Sequence, residues 1–282
     1  MLTTPLITPA EAAALIEALN VVFVDTRFRL ADTDYGRRSY AEAHIPGAVY
    51  AHLDEDLSGT IIHGETSRHP LPVIADFAET LGDWGIGNAT QVVVYDDLGG
   101  AIAGRLWWML RWLGHEPVAV LDGGWPIWLE GGFPTTDVPP RHETQTFIAH
   151  EQAHLVATMA EVRGRLNDRS LYIMDARAPK RYAGLEEPLD PVAGHIPGAE
   201  NRFFKDNLGE NGAFRLSEVL RERFAGMGEA SEVICYCGSG VTAAHNALAM
   251  VHAGLPMPRL YAGSWSEWIT DPSNPIAPTP AL

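Results

Sequence analysis

Cys237 is the residue of this 282-residue chain whose type and surroundings best equip it for chemistry. It stands in YCGSGVTA (Tyr236–Ala243), after the apolar run Val233–Tyr236 and before a stretch of helix-forming residues. Gly238, Ser239, Gly240, Val241 and Thr242 therefore form a loop from a strand end to a helix start. Two glycines in this loop allow the backbone to curl, so that successive N–H groups face inward and cradle an anion at a helix N-terminus. The same field lowers the pKa of a thiol placed there. A thiolate held by donors can attack a soft electrophilic sulfur and then retain the persulfide anion that results. Cys235 lies inside the strand and reads as core filling. A cysteine phosphatase shares the strand–cysteine–loop–helix layout but needs an arginine six positions beyond its nucleophile. Here that position is Ala243, so phosphoryl chemistry is not expected. The histidines have no metal-ligand spacing with the cysteines, and no metal is expected.

The elements that position this loop appear when the chain is compared with itself. HIPGA occurs at His44–Ala48 and again at His195–Ala199. Upstream, VVFVDTR (Asp25, Arg27) matches LYIMDAR (Asp175, Arg177). Downstream, VVVYDDLGG matches VICYCGSG, and LDGGWPIW matches YAGSWSEW. Aligning Tyr95 with Tyr236 puts Asp96 opposite Cys237, so the first copy has no sulfur nucleophile. In the second copy the pattern predicts strands at 171–175, 233–236 and 259–261. It predicts helices at 159–166, 216–224, 241–252 and 264–269, the first capped by Thr158. Short apolar strands alternating with helices predict an α/β fold of two tandem domains, each a mostly parallel sheet flanked by helices. The proline-rich join near Pro134–Arg141 sets the expected boundaries: a first domain at 1–138, a linker at 139–153 and a second domain at 154–282. Arg27 and Arg177 are expected in buried ion pairs with the strand acids, and the tryptophan pairs Trp107–Trp108 and Trp265–Trp268 in packing.

Composition narrows the partners. The hydrophobic and charged fractions are those of a globular protein with a real core. A net charge of −16 argues against nucleic acid or an anionic membrane as partner. No apolar run is long enough for a membrane helix, the first residues lack a signal-peptide pattern, and two cysteines two apart make no disulfide framework. A cytoplasmic location follows as the expectation. Any anionic substrate must then be held by a small positive region, and arginine supplies nearly all the positive charge, with Lys180 and Lys205 the two lysines.

The two HIPGA strings, the paired D-x-R strands, GSWSEW and CGSGVTA together resemble the tandem-domain rhodaneses, and the loop is most similar to that of 3-mercaptopyruvate sulfurtransferases. The resemblance spans nearly the whole chain. It implies an inactive first rhodanese-like domain and a catalytic second one, moving sulfur through a persulfide on Cys237 without a cofactor. The donor it implies is 3-mercaptopyruvate, with thiosulfate as the alternative. The acceptor is cyanide, a small thiol or thioredoxin. It further implies that Arg181 binds the anionic end of the donor and that Ser239 works with a histidine and an aspartate of the first domain. His44 and Asp34 are the residues expected in those two roles, whereas His195 is expected merely to bond a turn. Mercaptopyruvate enzymes carry a second arginine beyond the first. Here that stretch reads LEEPLDPVAGH, and Arg202 is the expected substitute. Gly238 and Ser239 bring no side-chain cation to the loop, which favours the less charged donor. A relay or binding module without turnover is the competing class, and the intact Cys237 loop argues against it.

Overall fold

The computed structural model describes residues 4–225, 227 and 232–277, so the outer ends of both predicted domains (1–3 and 278–282) lie outside it. Two compact units are formed. The first comprises Met1–Gly59, Leu71–Gln152 and Leu208–Phe214; the second comprises Thr60–Pro70, Ala153–Asn207 and Arg215–Leu282. The units thus differ from the predicted boundaries in two internal segments, 60–70 and 208–214, each grouped with the unit built mainly from the other repeat.

The first unit holds β1 (Leu6–Ile7), α1 (Pro9–Ala13), β2 (Val21–Asp25), α2 (Tyr35–Glu42), β3 (Ala48–Tyr50), α3 (Ile74–Asp83), β4 (Gln91–Tyr95), α4 (Ala103–Trp112), β5 (Val118–Leu121) and α5 (Gly124–Glu130). Its five strands are all parallel in the order β1-β5-β4-β2-β3. Residues 139–152 contain no regular element and run along this unit, bonded to it through Gln145, His150 and Gln152.

The second unit repeats the plan with α6 (Met159–Gly164), β6 (Leu171–Asp175), α7 (Pro179–Tyr182), β7 (Glu200–Asn201), α8 (Ser217–Phe224), β8 (Glu232–Tyr236), α9 (Thr242–His252), β9 (Arg259–Leu260) and α10 (Ser264–Trp268). Its sheet is parallel in the order β7-β6-β8-β9, and the Val156–Leu260 bridge extends it past β9. Each predicted element of this copy is present within two residues of its expected ends. Thr158 caps α6 with a reciprocal Glu161 bond, and Thr8 and Glu11 do the same for α1.

The inner strands β2, β4, β5, β6 and β8 carry consecutive buried apolar residues because helices cover both faces, leaving no solvated side to alternate toward. In the second unit Ile173, Ile234, Tyr236, Trp265 and Trp268 form one core cluster; Phe23, Val93, Tyr95, Trp125 and Trp128 form its counterpart. Trp107 and Trp108 are buried within α4.

The repeated motifs prove to be scaffold. Arg177 forks onto Asp175 and donates to the Gly194 carbonyl; Arg27 forks onto Asp25 and donates to the Ala43 carbonyl. The isoleucine N–H of each HIPGA donates to the hydroxyl of the tyrosine ending the neighbouring strand, Ile45 to Tyr95 and Ile196 to Tyr236, at 3.2 Å in both. This lattice fixes the strand ends, and the second copy thereby fixes where Cys237 emerges.

Candidate active site

Cys237 is buried at the carboxyl end of β8, where ligands sit in open parallel sheets. The loop after it is turned inside out by its neighbours. Trp265 and Ser266, in the first turn of α10, donate their N–H groups to the carbonyls of Cys237 (3.0 Å) and Gly238 (2.9 Å), and Ser264 Oγ accepts the Cys237 N–H at 3.1 Å. With its carbonyls held outward, the loop directs the N–H groups of Ser239, Gly240 and Ala243 and the Thr242 hydroxyl at Sγ. Burial by itself would raise the thiol pKa, but these donors outweigh it and hold the Cys237 pKa below its ordinary value. Gly240 is required twice over: its φ is +79°, and a Cβ there would lie 2.3 Å from the Ala262 carbonyl oxygen. Cys235 is the opposite case. Its sulfur lies 3.8 Å from Met174 Sδ inside the sheet, and burial, with the neighbouring Cys237, pushes its thiol pKa well up.

The first unit shows what this loop geometry accommodates. Asp96 occupies the position of Cys237, and its carboxylate collects four backbone N–H groups, from Leu98, Gly100, Ile102 and Ala103, at 2.7–2.8 Å. The loop is an anion cradle in both copies. In the first copy a carboxyl group is built in, and there burial outweighs the four N–H groups and raises the Asp96 pKa above its ordinary value.

Arg181, at the end of α7, stands beside the loop. A side chain on Gly238 would begin 3.3 Å from Arg181 Nη1 and 3.0 Å from Arg68 Nη2. The loop therefore has cationic neighbours although its own side chains carry no charge, and the missing Cβ at Gly238 is what admits them. Arg181 forks onto Glu187 (Nε–Oε1 3.0 Å, Nη2–Oε1 2.7 Å) and reaches Asp190 at 3.0 Å. Arg68 forks onto the same Asp190, Nε to Oδ1 at 3.0 Å and Nη2 to Oδ2 at 3.3 Å. Its backbone N–H donates to Ser266 Oγ. Arg202, the expected substitute for a second arginine, is engaged elsewhere. It caps the end of β6 through its N–H, pairs with Glu200 and lies over the Tyr172 ring.

Ser239 Oγ lies 2.7 Å from Nδ1 of His69, not of His44. Both ring nitrogens of His44 already face backbone carbonyls, Tyr40 O at 2.7 Å and Val138 O at 3.1 Å, and its ring stacks on Tyr40. His195 stacks on Tyr182 in the same way, with Nδ1 2.9 Å from the Tyr182 carbonyl. Asp34 is an exposed residue preceding α2 and makes no side-chain capping bond. His69 and Arg68, which stand against Ser239 and Gly238, were not among the expected site residues, and they are neighbours in SRHPLP (Ser67–Pro72). The signal was an arginine–histidine pair before a proline in the one long stretch between landmarks that the second copy does not reproduce.

Among the described residues, no group of three His, Cys, Asp or Glu side chains is placed to hold a metal, and no helix is long and apolar enough to cross a membrane. A family model for the rhodanese-like domain matches residues 8–130 and again 158–271. A probable 3-mercaptopyruvate sulfurtransferase of Pseudomonas aeruginosa is 46% identical over 281 residues, covering 98% of this chain and 99% of that protein. The bovine thiosulfate sulfurtransferase is 39% identical over 249 residues, 84% of this chain and 80% of its own. A solved 3-mercaptopyruvate sulfotransferase from Escherichia coli superposes with a TM-score of 0.82 at 30% identity, covering 94% of this chain and all of the other.

Proposed function

The chain belongs to the rhodanese family and is a sulfurtransferase, and we propose that it takes sulfur from 3-mercaptopyruvate onto Cys237 and passes it to a thiophilic acceptor. The observation that carries this reading is the buried Cys237 thiol facing three backbone N–H groups and the Thr242 hydroxyl, with a lowered pKa. In the first step the Sγ thiolate attacks the donor sulfur. An S–S bond forms, the donor C–S bond breaks, and its electron pair is left on the three-carbon fragment as an enolate. That fragment becomes pyruvate on taking a proton, and the Ser239–His69 pair is a proton path beside the reacting sulfur. In the second step the acceptor attacks the outer sulfur and Sγ leaves as the thiolate. The cradle serves both steps, since an anion occupies it before and after transfer.

Arg181 is placed to hold the donor's carboxylate, a planar anion that matches a guanidinium fork. Gly238, Ser239, Gly240, Val241 and Thr242 provide the floor of the site. Thiosulfate is the second reading, favoured by the likeness to thiosulfate sulfurtransferases at 38–39% identity. Its cleavage releases sulfite and needs no proton, so the Ser239–His69 pair favours mercaptopyruvate. Acceptors include cyanide, small thiols and reduced thioredoxin. The working location is the cytoplasm, where Cys237 stays reduced.

The test is turnover with each donor and cyanide, together with the intact mass of the donor-treated protein. The expected result is one added sulfur atom on Cys237, removed by cyanide, and a higher kcat/KM for mercaptopyruvate. Sulfur mapped to Cys235, or turnover without it on Cys237, rejects the assignment.

A further inference from the structure

The positive groups beside the loop have an unusual arrangement of counter-ions. Arg68 and Arg181 are the outer members, with side chains 29% and 16% exposed; Asp190 and Glu187 lie behind them at 2% and 4%. Asp190 Oδ2 is shared by both arginines, which draws two guanidinium groups together although like charges repel. Glu187 is shared in turn between Arg181 and Arg177, and Arg177 is forked onto Asp175. Three arginines thus face three carboxylates, and the cluster is neutral as a whole. A buried carboxylate of this kind is tolerable only while its arginines remain.

Two consequences follow from the geometry. Arg181 spends Nε and Nη2 on the acids behind it and turns Nη1 toward Gly238, while Arg68 Nη2, which also reaches Asp190, is the atom nearest Gly238, so a planar anion over Gly238 can be gripped by both. A cluster with no surplus charge also suits a monoanion better than a dianion, whose second charge would enter a partly desolvated place without a partner. We propose that Arg68 is the second arginine of the donor subsite, and that Asp190 is a positioning residue that aligns Arg68 with Arg181 and, by neutralising them, sets the subsite's preference for a monoanionic carboxylate over a dianion. The proposal rests on the reading of Cys237 and Arg181 given above.

It is tested by binding, which needs no sulfur transfer. The reduced full-length protein is titrated calorimetrically with pyruvate as monoanion and sulfate as dianion, in wild type, Arg68→Leu, Arg68→Lys and Asp190→Asn. One lost charge-assisted fork should weaken pyruvate about tenfold or more in Arg68→Leu. Arg68→Lys should recover part of that loss, because charge returns without the fork. Asp190→Asn should raise sulfate affinity relative to pyruvate by about threefold or more, since it leaves one positive charge uncompensated. In turnover, Arg68→Leu should raise KM for the donor more than it lowers kcat, a split that a general loss of structure would not produce. An unchanged pyruvate affinity in Arg68→Leu, or an unchanged sulfate-to-pyruvate ratio in Asp190→Asn, overturns the proposal. If Arg68→Leu does not fold, Arg68→Lys and Asp190→Asn decide by the same measures. Wild-type protein that binds pyruvate through Arg68 yet gains no sulfur from either donor would instead defeat the reading of Cys237.

Discussion

At the scale of single residues, two cysteines separated by one position have opposite environments. Cys237 Sγ faces four donors, whereas Cys235 faces a methionine sulfur within a sheet. Cys237→Ser should abolish sulfur transfer while Cys235→Ser retains it, measured as thiocyanate formed from cyanide. The lowered Cys237 pKa has a definite sign in the pH profile. Because the thiolate reacts, its alkylation by iodoacetamide should persist as pH falls below the ordinary thiol range and decline only through the lowered pKa. An alkylation rate that follows an ordinary free thiol refutes the cradle. His69→Asn should reduce kcat/KM with mercaptopyruvate about tenfold or more and spare thiosulfate, since only the first donor leaves a fragment that needs a proton. The loop lacks a side-chain cation of its own, but cations already stand beside it. Gly238→Arg would drive a guanidinium against Arg68 and Arg181, so it should impair both donors.

At the scale of elements, the loop is shaped by the helix across from it. The first turn of α10 takes the carbonyls of Cys237 and Gly238, and only then do the loop's N–H groups turn inward. The first unit offers a test of how strongly such a cradle demands an anion. Each Asp96 oxygen accepts two N–H bonds, so Asp96→Asn replaces one acceptor by an amide that faces two donors. Two buried N–H groups left without acceptors should destabilise the protein by about 2 kcal/mol or more. The check is a denaturant titration, and a loss below about 0.5 kcal/mol would mean the cradle relaxes at little cost. Thr158→Ala removes only a surface capping box and should cost about 1 kcal/mol without changing kcat.

At the scale of the whole molecule, the repeat in the sequence and the units in space do not coincide. Thr60–Pro70 belongs with the unit that carries Cys237, and it brings Arg68 and His69 there. A fragment spanning 153–282 keeps the nucleophile, the loop and Arg181 but loses both of those residues. It should load sulfur from mercaptopyruvate at less than about a tenth of the full-chain rate, corrected for the folded fraction seen by circular dichroism, because a lost charge-assisted contact alone is worth that factor. Full activity in the fragment would show that the 60–70 segment is dispensable.

What the sequence determined by itself is what is local or repeated. Strand apolarity, the Thr158 cap, the Gly238–Gly240 curl and the position of Cys237 each depend on residues adjacent in the chain, and the duplicated HIPGA and D-x-R strings marked the scaffold twice. That duplication also misled: His44 stood out because it recurs, and it recurs because both copies need a histidine to tie a turn to its preceding helix. The surroundings of Cys237 are set by what the copies do not share. Ser239 meets a histidine 170 positions away, and Arg68 meets Asp190 across 122. No short-range pattern encodes such pairs. They exist because the 60–70 segment folds onto the Cys237 loop, and because a buried Asp190 accepts two guanidinium groups that only the packed chain brings within reach of one carboxylate.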